Sequence, residues 1–194
     1  MRKRTALLVG ALMLFASTAS HAAIIAFDVN LSGASETPSV TTPGTGSGSV
    51  VVDTVGLTMS LNLTFSGLVG NTTASHIHCC ALPTTTAPVA TQVPSFADFP
   101  LGVTSGAYAK IFDMTLASSY NPTFVTNNGG TTALAFEALL NGMLDGKAYW
   151  NVHSSFAPGG EIRGALTPVP EPSTLMLLGV ALAGIALRGR LFGR

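Results

Sequence analysis

Ten consecutive positions, Leu57-Thr58-Met59-Ser60-Leu61-Asn62-Leu63-Thr64-Phe65-Ser66, alternate apolar and polar residues without a fault. Successive side chains on a strand point to opposite faces, so Leu57, Met59, Leu61, Leu63 and Phe65 share one buried face. A strand with one dry and one wet face belongs in an antiparallel sheet. Further strand signals run over Ile24 to Leu31, Gly48 to Asp53, Ala74 to His78, Ala107 to Leu116, Tyr149 to His153 and Glu161 to Leu166. Val55-Gly56 supplies a tight turn, which predicts a hairpin between Gly48–Asp53 and the alternating stretch. Three segments rich in Thr, Pro, Gly and Ser, at 36–47, 83–100 and 118–130, carry little core-forming material and are expected at the surface. Thr132 to Leu144 is expected to start as a strand and finish as a short helix, because Phe136, Leu139, Leu140 and Met143 fall at helical spacing before Asp145-Gly146. No helix is long enough for a βαβ unit and no internal repeat is present. The expected fold class is all-β, an antiparallel Greek-key β-sandwich.

The two ends of the chain have a different character. Arg2, Lys3 and Arg4 precede an apolar run from Ala6 to Ala16, and Ser20-His21-Ala22 offers small residues at a cleavage site. Residues 1–22 therefore read as a secretory signal peptide, and the mature chain starts at Ala23. Between Ala23 and Pro168 three bases (Lys110, Lys147, Arg163) face eight acids, a net charge of −5. Such a body has no basic patch to neutralise phosphates, which excludes nucleic acid as a partner. Residues 23–167 are long enough for one domain with a sizeable core.

The tail, 168–194, has three parts: Val169-Pro170-Glu171-Pro172, an apolar run, and Arg188, Arg190 and Arg194. Fourteen apolar or small residues make a helix of about 21 Å, short against a hydrocarbon core of about 30 Å. With Ser173 at its start and snorkelling arginines, a helix over about 173–187 spans a membrane marginally, basic end in the cytoplasm. In this order the parts resemble a PEP-CTERM sorting signal of exported Gram-negative proteins. The resemblance implies an exosortase that removes the tail and passes the protein from the inner membrane to the cell surface or outside.

Residues able to carry chemistry gather in two stretches, Ser75-His76-Ile77-His78-Cys79-Cys80-Ala81 and Ala148-Tyr149-Trp150-Asn151-Val152-His153, the latter followed by Gly159-Gly160-Glu161-Ile162-Arg163-Gly164. Together with Glu36-Thr37-Pro38 they resemble the chordin-type (CHRD) domain over roughly 27–166. The family commonly has Gly-Pro after His-Ile-His, where this chain has Cys79-Cys80. The resemblance implies an immunoglobulin-like or superoxide-dismutase-like sandwich, and fold alone does not set function. His76 and His78 lie two apart on a strand, so both rings leave the same face, and His153 is the third histidine of the mature body. The three could hold one copper or zinc ion, with Cys79 or Cys80 as further thiol ligands. Alternatively, they hydrogen-bond loops with Tyr149, Asn151 and Glu161 as partners. Three histidines cannot fill both a copper and a bridged zinc site, which argues against a dismutase.

Cys79 and Cys80 face an oxidising compartment, where a vicinal disulfide, metal ligation, free thiols and an intermolecular bridge all remain open. Glu161 and Arg163 alternate along one strand face and could pair, but a general acid–base site needs a second convergent carboxylate, and none is suggested. His153-Ser154-Ser155 is no nucleophile elbow, and Gly159-Gly160 is no phosphate loop. No catalytic constellation is present, and no resident cofactor is expected beyond that copper or zinc. The sequence therefore reads as a surface or biofilm-matrix protein with a non-catalytic binding or structural module, its partners being the exosortase and exopolysaccharide or other matrix components. The alternative is a periplasmic or surface metal-binding protein built on His76, His78 and His153, and behind it a redox enzyme.

Overall fold

The computed structural model describes residues 24–82 and 84–170, together with Gly179. The signal peptide expected over 1–22 lies outside the described residues, and so does the helix expected over about 173–187 apart from Gly179. Among those described, no helix is long and apolar enough to cross a membrane.

Strands β1 (Ile24–Ser32), β2 (Thr45–Asp53) and β3 (Thr58–Ser66) form an antiparallel meander paired along its full length. The turn after β2 is held by Asp53, whose Oδ1 accepts hydrogen bonds from the N–H groups of Val55 (2.9 Å) and Gly56 (2.8 Å). Met59, Leu61, Leu63 and Phe65 are buried as the alternation requires, whereas Leu57 stands exposed in the turn at φ 48°. The strand begins one residue after the pattern does.

Strand β4 (Thr72–His78) does not pair with β3. It crosses to the far end and pairs with β6 (Tyr149–Ser154), while β5 (Gly106–Asp113) returns to pair with β3. Strand β7 (Ile162–Ala165) joins β6 to β1, and β8 (Thr167–Pro168) pairs with the earlier half of β1. The resulting order is β4-β6-β7-β1-β2-β3-β5, with β8 beside β1. The protein is thus mostly β and antiparallel. The expectation is the two sheets of a Greek-key sandwich, but here one hydrogen-bonded path runs from β4 to β5 with β8 beside it, because β7 bonds to both halves. That sheet curls around a shared core: the Phe96 ring lies 5.8 Å from Trp150 on β6 and 5.4 Å from Phe112 on β5.

Three segments differ from their sequence reading. Thr132–Leu144 is helical throughout (α2), capped by the Thr131 hydroxyl accepting from Leu134 N–H at 3.2 Å. Its Ala, Leu, Glu and Met residues favour helix, and Ala135, Phe136, Leu139 and Met143 make one buried stripe. Inside the expected loop 118–130 lies a short helix (Pro122–Asn127, α1), with Asn121 capping Thr123 N–H at 3.0 Å and Pro122 opening the first turn. Of the segment 83–100 expected at the surface, the described residues 84–100 instead line the free edge of β4. Ala90 N–H donates to the Ile77 carbonyl at 3.0 Å, Phe96 N–H donates to that of Ser75 at 3.0 Å, and Phe96 and Phe99 are buried. Its prolines prevent a regular ladder without preventing burial of its aromatic rings.

This gives a sharp expectation for Phe96→Ala. Truncating a core aromatic costs about 3–5 kcal/mol, whereas a surface loop position changes stability by about 0.5 kcal/mol or less. Urea denaturation of variant and parent should show the larger loss.

Candidate functional site

Strand register sorts the residues of β4, β6 and β7 onto two faces. Ser75 opposes Val152 and Ile77 opposes Trp150, and this face turns to the core. There the Trp150 indole N–H donates to the Ser75 hydroxyl at 2.8 Å, which donates to the Asn151 carbonyl at 2.9 Å. On the other face His76 opposes Asn151, His78 opposes Tyr149, and Asn151 opposes Arg163. This second face is polar yet largely buried, because the 84–100 segment and the turn around Ser35–Thr37 fold over it.

The structure brings His76, His78 and His153 together. One nitrogen from each ring lies within 4.8 Å of the other two, and His76 Nδ1 is 3.3 Å from His153 Nε2. The opposite nitrogen of every ring faces a backbone carbonyl: His76 Nε2 to Pro94 at 2.6 Å, His78 Nδ1 to Ala87 at 2.8 Å, and His153 Nδ1 to Pro158 at 2.9 Å. A carbonyl only accepts, so those three nitrogens carry the protons. Burial lowers the pKa of all three rings, that of His76 and His78 to about 4, so the charged form is disfavoured. The partners expected from sequence are only partly used. Tyr149 stacks on His78 with ring centroids 4.9 Å apart, but Asn151 and Glu161 do not hydrogen-bond the rings.

Cys79 and Cys80 are bonded to each other in a vicinal disulfide, and Cys79 is fully buried. With both sulfurs so engaged, neither offers a thiolate to the histidines.

Glu161 and Arg163 do not pair. Glu161 precedes β7, after Gly160 at φ 133°, and escapes the strand's alternation. Its fully buried carboxylate accepts from Thr42 Oγ1 (2.6 Å), Val69 N–H (2.6 Å), Gly70 N–H (3.2 Å) and the Ser154 hydroxyl. Burial by itself would raise its pKa, but hydrogen bonds from Ser154, Thr42, Val69 and Gly70 together hold it below the ordinary value.

Arg163 instead stacks over Tyr149, Cζ 4.6 Å from the ring centroid, and donates to the Ser35 carbonyl and the Thr37 hydroxyl. Its Nε lies 3.8 Å from Glu36 Oε2. Burial lifts Glu36 to about 7, against the pull of Arg163 and of the Thr37 N–H. Glu36 Oε1, Asn151 Oδ1 and His78 Nε2 are buried without a protein hydrogen-bond partner. Sequence reading noted Glu36 only as part of Glu36-Thr37-Pro38. Its role depends on a contact 127 positions away along the chain (Glu36 to Arg163), which no local pattern announces.

Of the tail residues expected to form the sorting signal, Val169 and Pro170 are described and exposed, whereas Glu171 and Pro172 lie outside the described residues.

A curled antiparallel β-domain with a buried polar face, followed directly by a Pro-Glu-Pro segment, defines the class of protein. The family model of the CHRD domain matches residues 27–166, so the chain belongs to the CHRD domain family. A PEP-CTERM protein-sorting motif matches residues 168–190, the mark of an exported protein sorted by exosortase. No curated protein and no solved structure matches the chain.

A raised carboxylate pKa means that the folded state holds its proton between about pH 4.5 and 7, while the unfolded chain has lost it. Stability contributed by protonated Glu36 is fully present below that window and is lost as pH rises through it. Glu36→Gln removes this dependence. The melting temperature of the variant minus that of the parent should grow by about 5–10 °C between pH 5 and pH 8. A constant difference would reject a buried, protonated Glu36.

Proposed function

We propose that this protein is an exosortase substrate whose CHRD domain serves as a non-catalytic binding or structural module at the cell surface or in the extracellular matrix. The observation that carries this reading is adjacency: the CHRD match ends at residue 166 and the sorting motif begins at residue 168. At that junction Val169 N–H still donates to the Ala26 carbonyl at 2.8 Å, while residues 167–170 are exposed. The motif therefore leaves the edge of a folded domain, open to an enzyme in the membrane plane. On this reading residues 1–22 direct export, residues 23–167 are the delivered domain, and residues 168–194 hold the chain in the inner membrane until processing. The apolar segment about 173–187 is the anchor, and Val169, Pro170, Glu171 and Pro172 are what the exosortase reads. Exopolysaccharide or other matrix components are the surroundings in which the domain would act.

The chemistry of the described domain supports a non-catalytic role. Glu161 is saturated with hydrogen bonds and Glu36 is sequestered beside Arg163. Neither is arranged with a second convergent carboxylate for acid–base work.

Glu171→Ala should leave full-length protein in the membrane of a host that has the exosortase, with release falling at least tenfold against wild type. Fractionation followed by immunoblotting measures it. Equal release of the two proteins would overturn the sorting assignment.

A further inference from the structure

We propose that His76, His78 and His153 form a mononuclear site for a late first-row transition metal, copper or zinc, on the covered face of the domain. The argument rests on the direction of lone pairs. Each ring spends its N–H on a backbone carbonyl, and those carbonyls belong to three separate places, Pro94, Ala87 and Pro158. The nitrogens left over, His76 Nδ1, His78 Nε2 and His153 Nε2, are lone pairs in a neutral ring. They converge within 4.8 Å. Ligating histidines characteristically donate their second ring N–H to a carbonyl or carboxylate, which fixes tautomer and ring orientation.

Two observations point to a cation at that convergence. His76 Nδ1 and His153 Nε2 sit 3.3 Å apart with no proton assigned to either by their other contacts. Two facing lone pairs repel unless a cation or an added proton lies between them. That spacing is also the separation of two nitrogens on a tetrahedral ion with bonds of about 2.0–2.1 Å, about 3.3–3.4 Å. The second observation is His78 Nε2, which is buried and has no protein hydrogen-bond partner although the residue is only 8% exposed. A buried polar atom without a partner is costly, and a metal ion is a partner that an imidazole lone pair accepts. Bringing the third nitrogen to bonding distance takes a shift of about 1.5 Å or less, the excess of the widest spacing over the tetrahedral one.

The donor set selects the metal. All three ligand atoms are neutral imidazole nitrogens, and the neighbouring sulfurs are tied in the Cys79–Cys80 bridge. Imidazole suits zinc and copper, whereas calcium, magnesium and manganese want carboxylate and carbonyl oxygen. By the ordinary order of divalent affinities copper(II) binds such a set more tightly than zinc. His153 is only partly buried, so an ion enters from its side and a water completes the coordination there.

The test uses the full chain exported to the periplasm and purified without chelator or affinity metal. Elemental analysis after dialysis against zinc or copper(II) should find one equivalent per chain, with copper displacing zinc. The copper(II) form should show electron paramagnetic resonance couplings from three imidazole nitrogens. His153→Gln, at the most accessible ligand, should keep native circular dichroism and lose affinity at least 100-fold; His76→Gln should do the same. Retention of less than a tenth of an equivalent by the folded parent would overturn the site. So would a folded His153→Gln that binds as tightly as the parent, or copper spectra without nitrogen coupling, which would place the metal elsewhere. None of these outcomes bears on release by the exosortase, so the site and the sorting assignment fail independently.

Discussion

The carboxylate of Glu161 is the contact on which the arrangement of this domain depends. It is fully buried, and such a charge survives only where hydrogen bonds replace its water. Its partners come from the β1–β2 connection (Thr42), the β3–β4 connection (Val69 and Gly70) and the end of β6 (Ser154). One side chain therefore ties two remote connections and the end of β6 to the turn that starts β7. Because β7 joins the β4–β6 half of the sheet to the β1–β2–β3–β5 half, fixing its entry also fixes the curl around the core. The same turn sets Pro158, whose carbonyl orients the His153 ring.

From this frame follows the unequal use of the two faces of β4, β6 and β7. One face supplies Ile77, Trp150, Val152 and Ile162 to the core and gains its stability from apolar burial. The opposite face carries His76, His78, Tyr149, Asn151 and Arg163, and would ordinarily lie in water. Here it is covered, so its polar groups depend on partners inside the protein, which Asn151 Oδ1 and His78 Nε2 lack. Arg163 finds them by stacking on Tyr149 and by donating to Ser35 and Thr37. The histidines do so by donating outward to backbone carbonyls, which leaves their lone pairs turned inward. The polarity of the cluster is thus a consequence of how it is covered.

That consequence explains which parts were legible in the sequence. Strands announce themselves through period-two alternation and through turns such as Val55-Gly56, and β1 to β7 all lie within a few residues of their expected bounds. The alternation also placed His76 and His78 on one face. What it could not carry was the identity of partners. Glu161 and Arg163 sit two apart and look like a pair, but Gly160 at φ 133° rotates Glu161 out of the strand, and Arg163 meets Glu36 instead. A strand start at Thr132 undervalues the helix propensity of the Ala, Leu, Glu and Met residues that make α2 complete, and the signal of α1 is only Asn121-Pro122. Prolines in 83–100 suggested a surface loop, but Phe96 and Phe99 gain more from burial than the irregular backbone costs. For Arg163 and for the Phe96 segment a long-range contact overrode a local pattern.

The junction between domain and tail follows the same physics. Leu166 is the last buried side chain among the described residues, and its N–H still bonds to the Ala148 carbonyl at 3.0 Å. Beyond it the chain keeps a short antiparallel hold on β1, through Thr167, Pro168 and the Val169 N–H, with every residue of 167–170 exposed. The core therefore closes before the sorting motif begins, and no core contact draws on Val169 or Pro170. Pro168 and Pro170 carry no N–H to extend the ladder, so the pairing along the β1 edge ends with the Val169 N–H, within the first residues of the motif. A sorting segment has to be readable while the domain is folded and separable without unfolding it. An edge strand that begins one residue past the last core side chain and ends in alternating prolines meets both conditions through backbone chemistry alone.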